Sequence, residues 1–480
     1  MSIDQEIDNF FTPVSIFLTE LVFYELKVFD LSFPLIVVWL IVAALFFTFY
    51  FNFINIFGLK HSLHLLKSKS MQTDSNGELS HFQALSTAVS GTVGIGNIGG
   101  VAIAISIGGP GVTFWLIIAG LLSMTTKFVE CSLGVIFRTT NTDGSVSGGP
   151  MYYLEKGFEG RGYLRLGRFL GMFYAFAIIF GCLGIGNMFQ ANQAYEQFLF
   201  LTGNENSFFS NKAWLFGLMI ALSVAVVIVG GIKSIGNVAS KLVPFMAIIY
   251  VIGCCLIIIF NIEKLPSTLQ AIISGAFSPD SLAGGMIAVM IIGFQRAAFS
   301  NESGLGSAAI AHSAVKTNDP ITEGYVALLE PLIDTVIICT MTSLVILMTI
   351  YDPLLANQNI QGVQLTSLAF ESSIVGSSIP LSFIAILFAY TTILAWSYYG
   401  LKGWTYLFGH SNLTEYIFKF GFCIFIVLGC MINLESVLAI SDAIIFIVAI
   451  PNIIGLYFLA PLVKKELQSY KSRQINLQQD

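Results

Sequence analysis

Long apolar stretches recur along this chain, and eleven of them, roughly 33–57, 81–107, 110–138, 168–201, 213–231, 235–260, 281–312, 322–349, 379–408, 413–432 and 435–463, are long enough to span a hydrocarbon layer as helices. Polar residues are concentrated between the stretches, but two stretches carry a polar run rich in glycine. Within 81–107, the run Ser90-Gly91-Thr92-Val93-Gly94-Ile95-Gly96-Asn97 places three glycines, two hydroxyls and an amide in eight residues. Within 281–312, Phe299-Ser300-Asn301-Glu302-Ser303-Gly304-Leu305-Gly306 repeats hydroxyls, an amide and spaced glycines. Glycine is the poorest helix former after proline. At membrane depth, a break survives only where protein or a bound solute takes up the freed carbonyls and amides. Both stretches are therefore expected to be broken helices, the kind that holds ions and small solutes near a bilayer midplane.

The expected fold is an all-α polytopic membrane protein with about eleven transmembrane helices. Residues 1–80 form an N-terminal segment with one extra span and a cytoplasmic loop. Residues 81–260 and 281–463 hold five spans each, and 464–480 form a tail. The first five-span run begins from the opposite side to the second, which is the layout of an inverted 5+5 repeat. Residues 1–32 carry scattered apolar positions suited to the membrane surface. They are acidic rather than basic and show no short apolar core before a small-residue cleavage site, so no cleavable signal is expected.

Lysine and arginine set the orientation. One set of alternate loops carries Lys60, Lys67, Lys69, Arg138, Lys156, Arg161, Arg165, Arg168, Lys233, Lys241, Lys316, Lys402, Lys464, Lys465, Lys471 and Arg473; the other carries only Lys27, Lys212 and Lys264. A miscounted span would mix the two sets. The N-terminus is expected outside and the C-terminus in the cytoplasm of a cell membrane.

Composition agrees: 55% of residues are hydrophobic and 10% charged, against about 25% charged in soluble domains, and mean hydropathy is +0.81. No basic stripe suits nucleic acid. The seven cysteines all fall in apolar runs without a CxxC spacing, which fits packing. Gly94, Gly96 and Gly99 match GxGxxG, but that fingerprint needs a preceding strand; close helix packing is the other reading of such glycines.

The chemistry of the first break suits an ion and a zwitterion together. Thr92, Asn97 and freed carbonyls offer uncharged oxygens for a monovalent alkali cation, and exposed amides at a helix N-terminus suit a carboxylate. Asn187, Gln190, Asn192 and Gln193 place four amides in one span, for solute binding or for hydrogen bonds between helices. Thr391 and Thr392 form a hydroxyl pair, for ion ligation or for bonds to their own helix. Trp396 follows as a pocket wall or as packing. Among buried ionisable groups, Lys127 and Glu130 are spaced to pair, Arg296 and Glu302 flank the second break, Asp334 has no partner in sequence, and His312 is expected at an interface. No nucleophile–base constellation is present, and no enzyme is expected.

The runs SGTVGIGNIGGVAIAISIGGPGVTFW, DGSVSGGPMYYLEKG, FSNESGLGSAAIAHSAVKTNDP, IDTVIICTMTSLVIL and TTILAWSYYG closely resemble the sodium:alanine/glycine symporters, across about 81–463. The resemblance implies a LeuT-type fold in the amino acid–polyamine–organocation superfamily and sodium-driven uptake of alanine and glycine. It implies a substrate site at Thr92, Gly94, Gly96, Asn97, Gln190, Ser300, Asn301, Gly304 and Trp396. It implies a sodium site at Ser90, Val93 (by its carbonyl), Thr391 and Thr392, with Thr92 and Asn97 available to a second sodium. One departure stands out: before FSNE the family usually has two arginines and a glycine, whereas this chain reads Gln295-Arg296-Ala297-Ala298. Ser303 stands where alanine is usual.

The expected partners are a small neutral amino acid, sodium and the lipid bilayer, with no organic cofactor and no obligate protein partner. Two alternatives remain open at this point: a proton-coupled transporter with Glu302 titrating, and an amino acid sensor that binds without transport.

Overall fold

A computed structural model of the chain describes residues 13, 16–17, 19–28, 31–67, 77–141, 144–278, 285–351, 362–432 and 434–477. Most of the expected membrane-surface segment 1–32 and the start of the 281–312 span lie outside the described residues. The helices are α1 (Leu35–Tyr50), α2 (Leu59–Lys67), α3 (His81–Thr92), α4 (Gly96–Gly108), α5 (Val112–Ile136), α6 (Pro150–Glu159), α7 (Leu164–Thr202), α8 (Ala213–Ile228) and α9 (Gly231–Phe260). They continue with α10 (Leu265–Phe277), α11 (Met286–Asn301), α12 (Ser307–His312), α13 (Pro320–Thr349), α14 (Val363–Ser373), α15 (Ser378–Phe408), α16 (Asn412–Met431) and α17 (Leu434–Leu477). Two short antiparallel pairs, Glu25–Val28 with Leu31–Pro34 and Thr139–Thr140 with Val146–Ser147, and the single turns Ile54–Phe57, Asn204–Asn206 and Ile262–Lys264 complete the described elements.

Among the described residues, seven helices are long and apolar enough to cross a bilayer, or eight with the bent pair α3 and α4. Phe176, Val226, Val229, Ile259 and Phe420 point out of the bundle at more than half their full exposure, as lipid-facing side chains do and as a water-soluble surface would not. The polar side chains turn inward. The molecule is a multi-pass, all-helical membrane protein.

Both expected breaks are present, and both are narrower than the polar runs that announced them. α3 opens on a capping box between Ser80 and Gln83 and keeps helical geometry to Thr92. Val93 then turns out of the helix at φ −74° and ψ 89°, and the two halves meet at a bend of 49°. Ser90 to Thr92 are thus helical rather than unwound. α11 likewise runs to Asn301, and the second break occupies 302–306. Here Glu302, Gly304 and Gly306 all have positive φ (56°, 90° and 76°). Two glycines accept that conformation freely; Glu302 does so at about 1 kcal/mol or more, which its partners below offset.

Three helices carry wide π turns: Gly96–Gly100 at the head of α4, Gly184–Met188 inside α7 and Leu332–Cys339 inside α13. Such turns mark functional positions, and these adjoin Asn97, Gln190 and Asp334. α7 and α15 lie against each other, α5 packs between α11 and α13, and α3 rests on α9 and α15, so the two breaks face a shared core.

Several features depart from the sequence reading. The first span ends at Tyr50 because Asn52 and Phe53 adopt left-handed backbone (φ 53° and 55°). α17 continues to Leu477 through the expected tail, anchored by Tyr470 on His61 (2.6 Å). α2, α6, α10 and α14 occupy stretches read as loops.

Candidate functional site

The first break is held from two sides. Val93 N–H makes the last regular bond, to the Val89 carbonyl (2.7 Å). The next donors, which would be stranded at a helix start, are taken by side chains. Gly94 N–H donates to Asn97 Oδ1 (2.9 Å), and Ile95 N–H donates to Gln190 Oε1 (3.3 Å). On the other side, α15 takes the carbonyls. Thr392 Oγ1 donates to the Ser90 carbonyl (2.9 Å), and Trp396 Nε1 to that of Gly91 (3.2 Å). Gly94 is pinched between these groups: a Cβ there would lie 2.6 Å from Thr392 Oγ1 and 3.2 Å from Gln190 Oε1.

Asn97 joins the first break to the second. Its Nδ2 donates toward Ser300 Oγ (3.0 Å), Asp334 Oδ1 (2.6 Å) and the Asp334 carbonyl (3.1 Å). Asp334 Oδ2 accepts from Ser300 Oγ (2.6 Å) and Thr335 Oγ1 (2.7 Å). Asn97, Ser300 and Asp334 are all buried. Asp334 is the buried acid that motif reading left without a partner; its signal was an acid at mid-span. Its carboxylate oxygens are held by hydroxyl and amide donors from Asn97, Ser300 and Thr335.

The second break is stitched by Glu130. Glu130 Oε1 accepts from Gly304 N–H (2.9 Å), Gly306 N–H (3.1 Å) and Asn452 Nδ2 (2.7 Å), while Asn452 Nδ2 also donates to the Gly304 carbonyl (2.7 Å). One carboxylate and one amide thereby replace the lost helical bonds. Glu302 accepts from Ser307 Oγ (2.5 Å) and from Trp396 Nε1 (2.9 Å), so Trp396 touches both breaks at once.

The sequence-predicted residues divide accordingly. Thr392, Trp396, Gly94, Gln190, Asn97 and Ser300 meet at the junction of the breaks, with Ser90 and Val93 supplying backbone. Gly96 borders Phe299, whose ring a Cβ would meet at 3.5 Å. Thr92 bonds back toward Ala88 and Val89 (3.4 and 3.3 Å), and Thr391 to Phe388 (3.1 Å), each within its own helix. Asn301 and Gly304 lie on the far side of the second break. Asn301 Nδ2 reaches Ser123 Oγ (3.2 Å) and Thr335 Oγ1 (3.0 Å). Both residues border a small cavity of about 30 Å³ with Leu40 and Ser123. Of the four amides, Asn187 and Asn192 bind carbonyls of Phe422 and Ile432 across to α16 and its end (2.8 and 2.6 Å), and Gln193 bonds Asn192; Gln190 alone serves the break.

Three ionisable groups find partners that their positions in sequence did not announce. Lys127 bonds Glu330 (2.9 Å) rather than Glu130, because Glu130 faces the second break. Arg296 pairs with Asp442 on α17 (3.0 Å) rather than with Glu302, because Glu302 turns inward at its left-handed corner. His312 is fully buried rather than interfacial, bonded to Glu323 (2.6 Å).

The model of the family described as "Sodium:alanine symporter family" matches residues 19–480. The sodium/alanine symporter AgcS of Methanococcus maripaludis is 36% identical over 91% of this chain and 94% of its own. The "Probable sodium/glutamine symporter GlnT" of Bacillus subtilis is 32% identical over 91% and 87%. Among solved structures, MhsT in complex with L-phenylalanine superposes with a TM-score of 0.56 at 13% identity, over 83% of this chain and all of that one; that likeness concerns the fold, which is LeuT-like.

Proposed function

The chain belongs to the sodium:alanine symporter family, a family of transporters rather than enzymes, and from that premise we propose that it imports small neutral amino acids, alanine and glycine, by sodium-coupled alternating access. The observation that carries the reading is Thr392 Oγ1 lying 2.9 Å from the Ser90 carbonyl, which brings a hydroxyl of α15 to the carbonyl end of a broken helix. Sodium is held there by the Ser90 and Val93 carbonyls with Thr392 and Thr391. A second sodium is held by Thr92 and Asn97, with Asp334 and Ser300 supplying charge and oxygen.

The amino acid lies at the break itself. Gly94 and Gly96 carry no side chain to cover the backbone, whose amides receive its carboxylate once the Asn97 and Gln190 oxygens on Gly94 and Ile95 N–H give way; Gln190, Asn97 and Ser300 then orient it, with Asn301 and Gly304 shaping the second break. Trp396 and Phe299 close the space and favour small side chains over that of glutamine. One sodium crossing 100 mV contributes about 2.3 kcal/mol, roughly a fiftyfold accumulation. The two broken helices move against the remaining bundle, in a cell membrane with the N-terminus outside.

The test is competition of labelled alanine uptake by a panel of amino acids, with and without sodium. Alanine and glycine are expected to compete in sodium alone. Preferential competition by glutamine would overturn the substrate reading, and sodium-independent uptake the coupling.

A further inference from the structure

A chain of buried charged and hydrogen-bonding groups outside the proposed site runs between helices. Glu323 of α13 accepts from two histidines at once: His81 Nδ1 on one carboxylate oxygen and His312 Nδ1 on the other, the latter at 2.6 Å. His312 Nε2 faces Glu330 Oε2 at 3.7 Å, and Glu330 Oε1 takes Lys127 Nζ at 2.9 Å. All five side chains are at most 2% exposed. Charged and polar groups buried so deeply in a membrane protein are costly, and functional by default.

The order of the chain matters. Lys127, Glu330, Glu323 and His312 sit on α5, α13 and α12. His81 is the end link and stands on a different element, the first residue of α3. Around it, backbone bonds tie the same two segments: Glu78 N–H and Leu79 N–H to the Ala314 carbonyl (2.7 and 3.0 Å), and Lys316 N–H to that of Leu79 (2.7 Å). Arg138 in turn holds the carbonyls of Ser313, Val315 and Thr317 (3.2, 2.5 and 2.8 Å). The base of α3 is thus fastened to a fixed frame at its very start, while its other end is the bend at Val93. A helix hinged at one end and fastened at the other moves only when the fastening opens.

We propose that the His81–Glu323 contact is the latch of the cytoplasmic gate: it holds α3 against α12 and α13, and it opens when the carried solute leaves toward the cytoplasm. Glu323 acts as a positioning residue, gripping the frame through His312 whether or not His81 is attached. The inference rests on the proposed transport and orientation. Losing His81 removes the side-chain link and leaves the backbone bonds at Leu79 and the other links in place, and the Ser80–Gln83 capping box still starts the helix.

The test uses the full chain in proteoliposomes carrying Thr87→Cys, a buried position on α3 between the latch and the bend; the parent without that cysteine supplies the background. An impermeant maleimide is applied from the cytoplasmic face. His81→Ala is expected to label about tenfold faster than the Thr87→Cys reference and to raise half-saturating external sodium similarly, as loss of one charge-assisted hydrogen bond shifts a two-state balance. His81→Asn, whose amide donates from the same place, is expected to restore most of both. Unchanged labelling and sodium dependence in His81→Ala overturn the latch. Should that variant be absent from the membrane, Glu323→Gln answers the same question: faster labelling supports the latch and an unchanged rate overturns it. Uptake by the parent that ignores sodium would sink the sodium-coupled reading, whereas the labelling comparison stands apart from it.

Discussion

Gly94→Ala is the smallest change that strikes the first break. Gly94 is outside the positive-φ glycines, so alanine meets no backbone penalty and only space decides. The added methyl would sit 2.6 Å from Thr392 Oγ1, inside any real contact, and 3.2 Å from Gln190 Oε1. Relief requires moving one group off the Ser90 carbonyl and the other off Ile95 N–H. Overpacking costs about 1–3 kcal/mol, and each displaced hydrogen bond about 1 kcal/mol. Together these give about 3–5 kcal/mol, at least a hundredfold in affinity. Sodium-dependent alanine uptake in proteoliposomes, normalised to folded protein, should lose that factor in half-saturating sodium and alanine. One neighbour serves as the control: Gly100→Ala would meet nothing within 4 Å. Wild-type uptake in Gly94→Ala, or equal damage in Gly100→Ala, would refute the geometry.

Other substitutions separate the ligands from the scaffold. Thr392→Ala should raise half-saturating sodium about tenfold with a smaller effect on alanine at saturating sodium, while Thr392→Ser stays near wild type; equal loss of both would argue against ion ligation. Gln190→Leu should weaken alanine binding in protein that still inserts, and normal transport would assign Gln190 to packing. Asp334→Asn removes charge but little shape, so sodium affinity should fall roughly ten- to a hundredfold, and an unchanged sodium curve would make Asp334 structural. Lys127→Met alone leaves Glu330 buried with only the long 3.7 Å contact to His312 and should cost about 3–5 kcal/mol of stability; thermal unfolding should show recovery when Glu330→Gln is added, and additive losses would contradict the pairing.

Much of the architecture was legible because the bilayer makes the pattern strict. Apolar runs gave the helices, and glycines among hydroxyls gave both breaks. The width of the breaks was not legible. Ser90 to Thr92 stay helical because their side chains bond their own turn or α15 serves their carbonyls, which no local signal announces. Partners across the fold were equally hidden: Lys127 and Glu130 share a spacing that suits a pair, yet each reaches a different helix. Asn97 and Thr392 were found as motif residues, whereas Asp334 required the fold, since beside its neighbour Thr335 its donors Ser300 and Asn97 lie 34 and 237 residues away. The extra helices α10 and α14 lie in stretches whose short apolar faces pack on their neighbours and never span a membrane's width.

The account stands most directly on coupled flux. Purified protein in sealed vesicles, with pH and voltage clamped, should take up radioactive sodium when alanine is added outside and not when it is withheld, with a fixed ratio of the two fluxes. Alanine accumulation that proceeds without sodium entry, or that follows an imposed proton gradient instead, would contradict it.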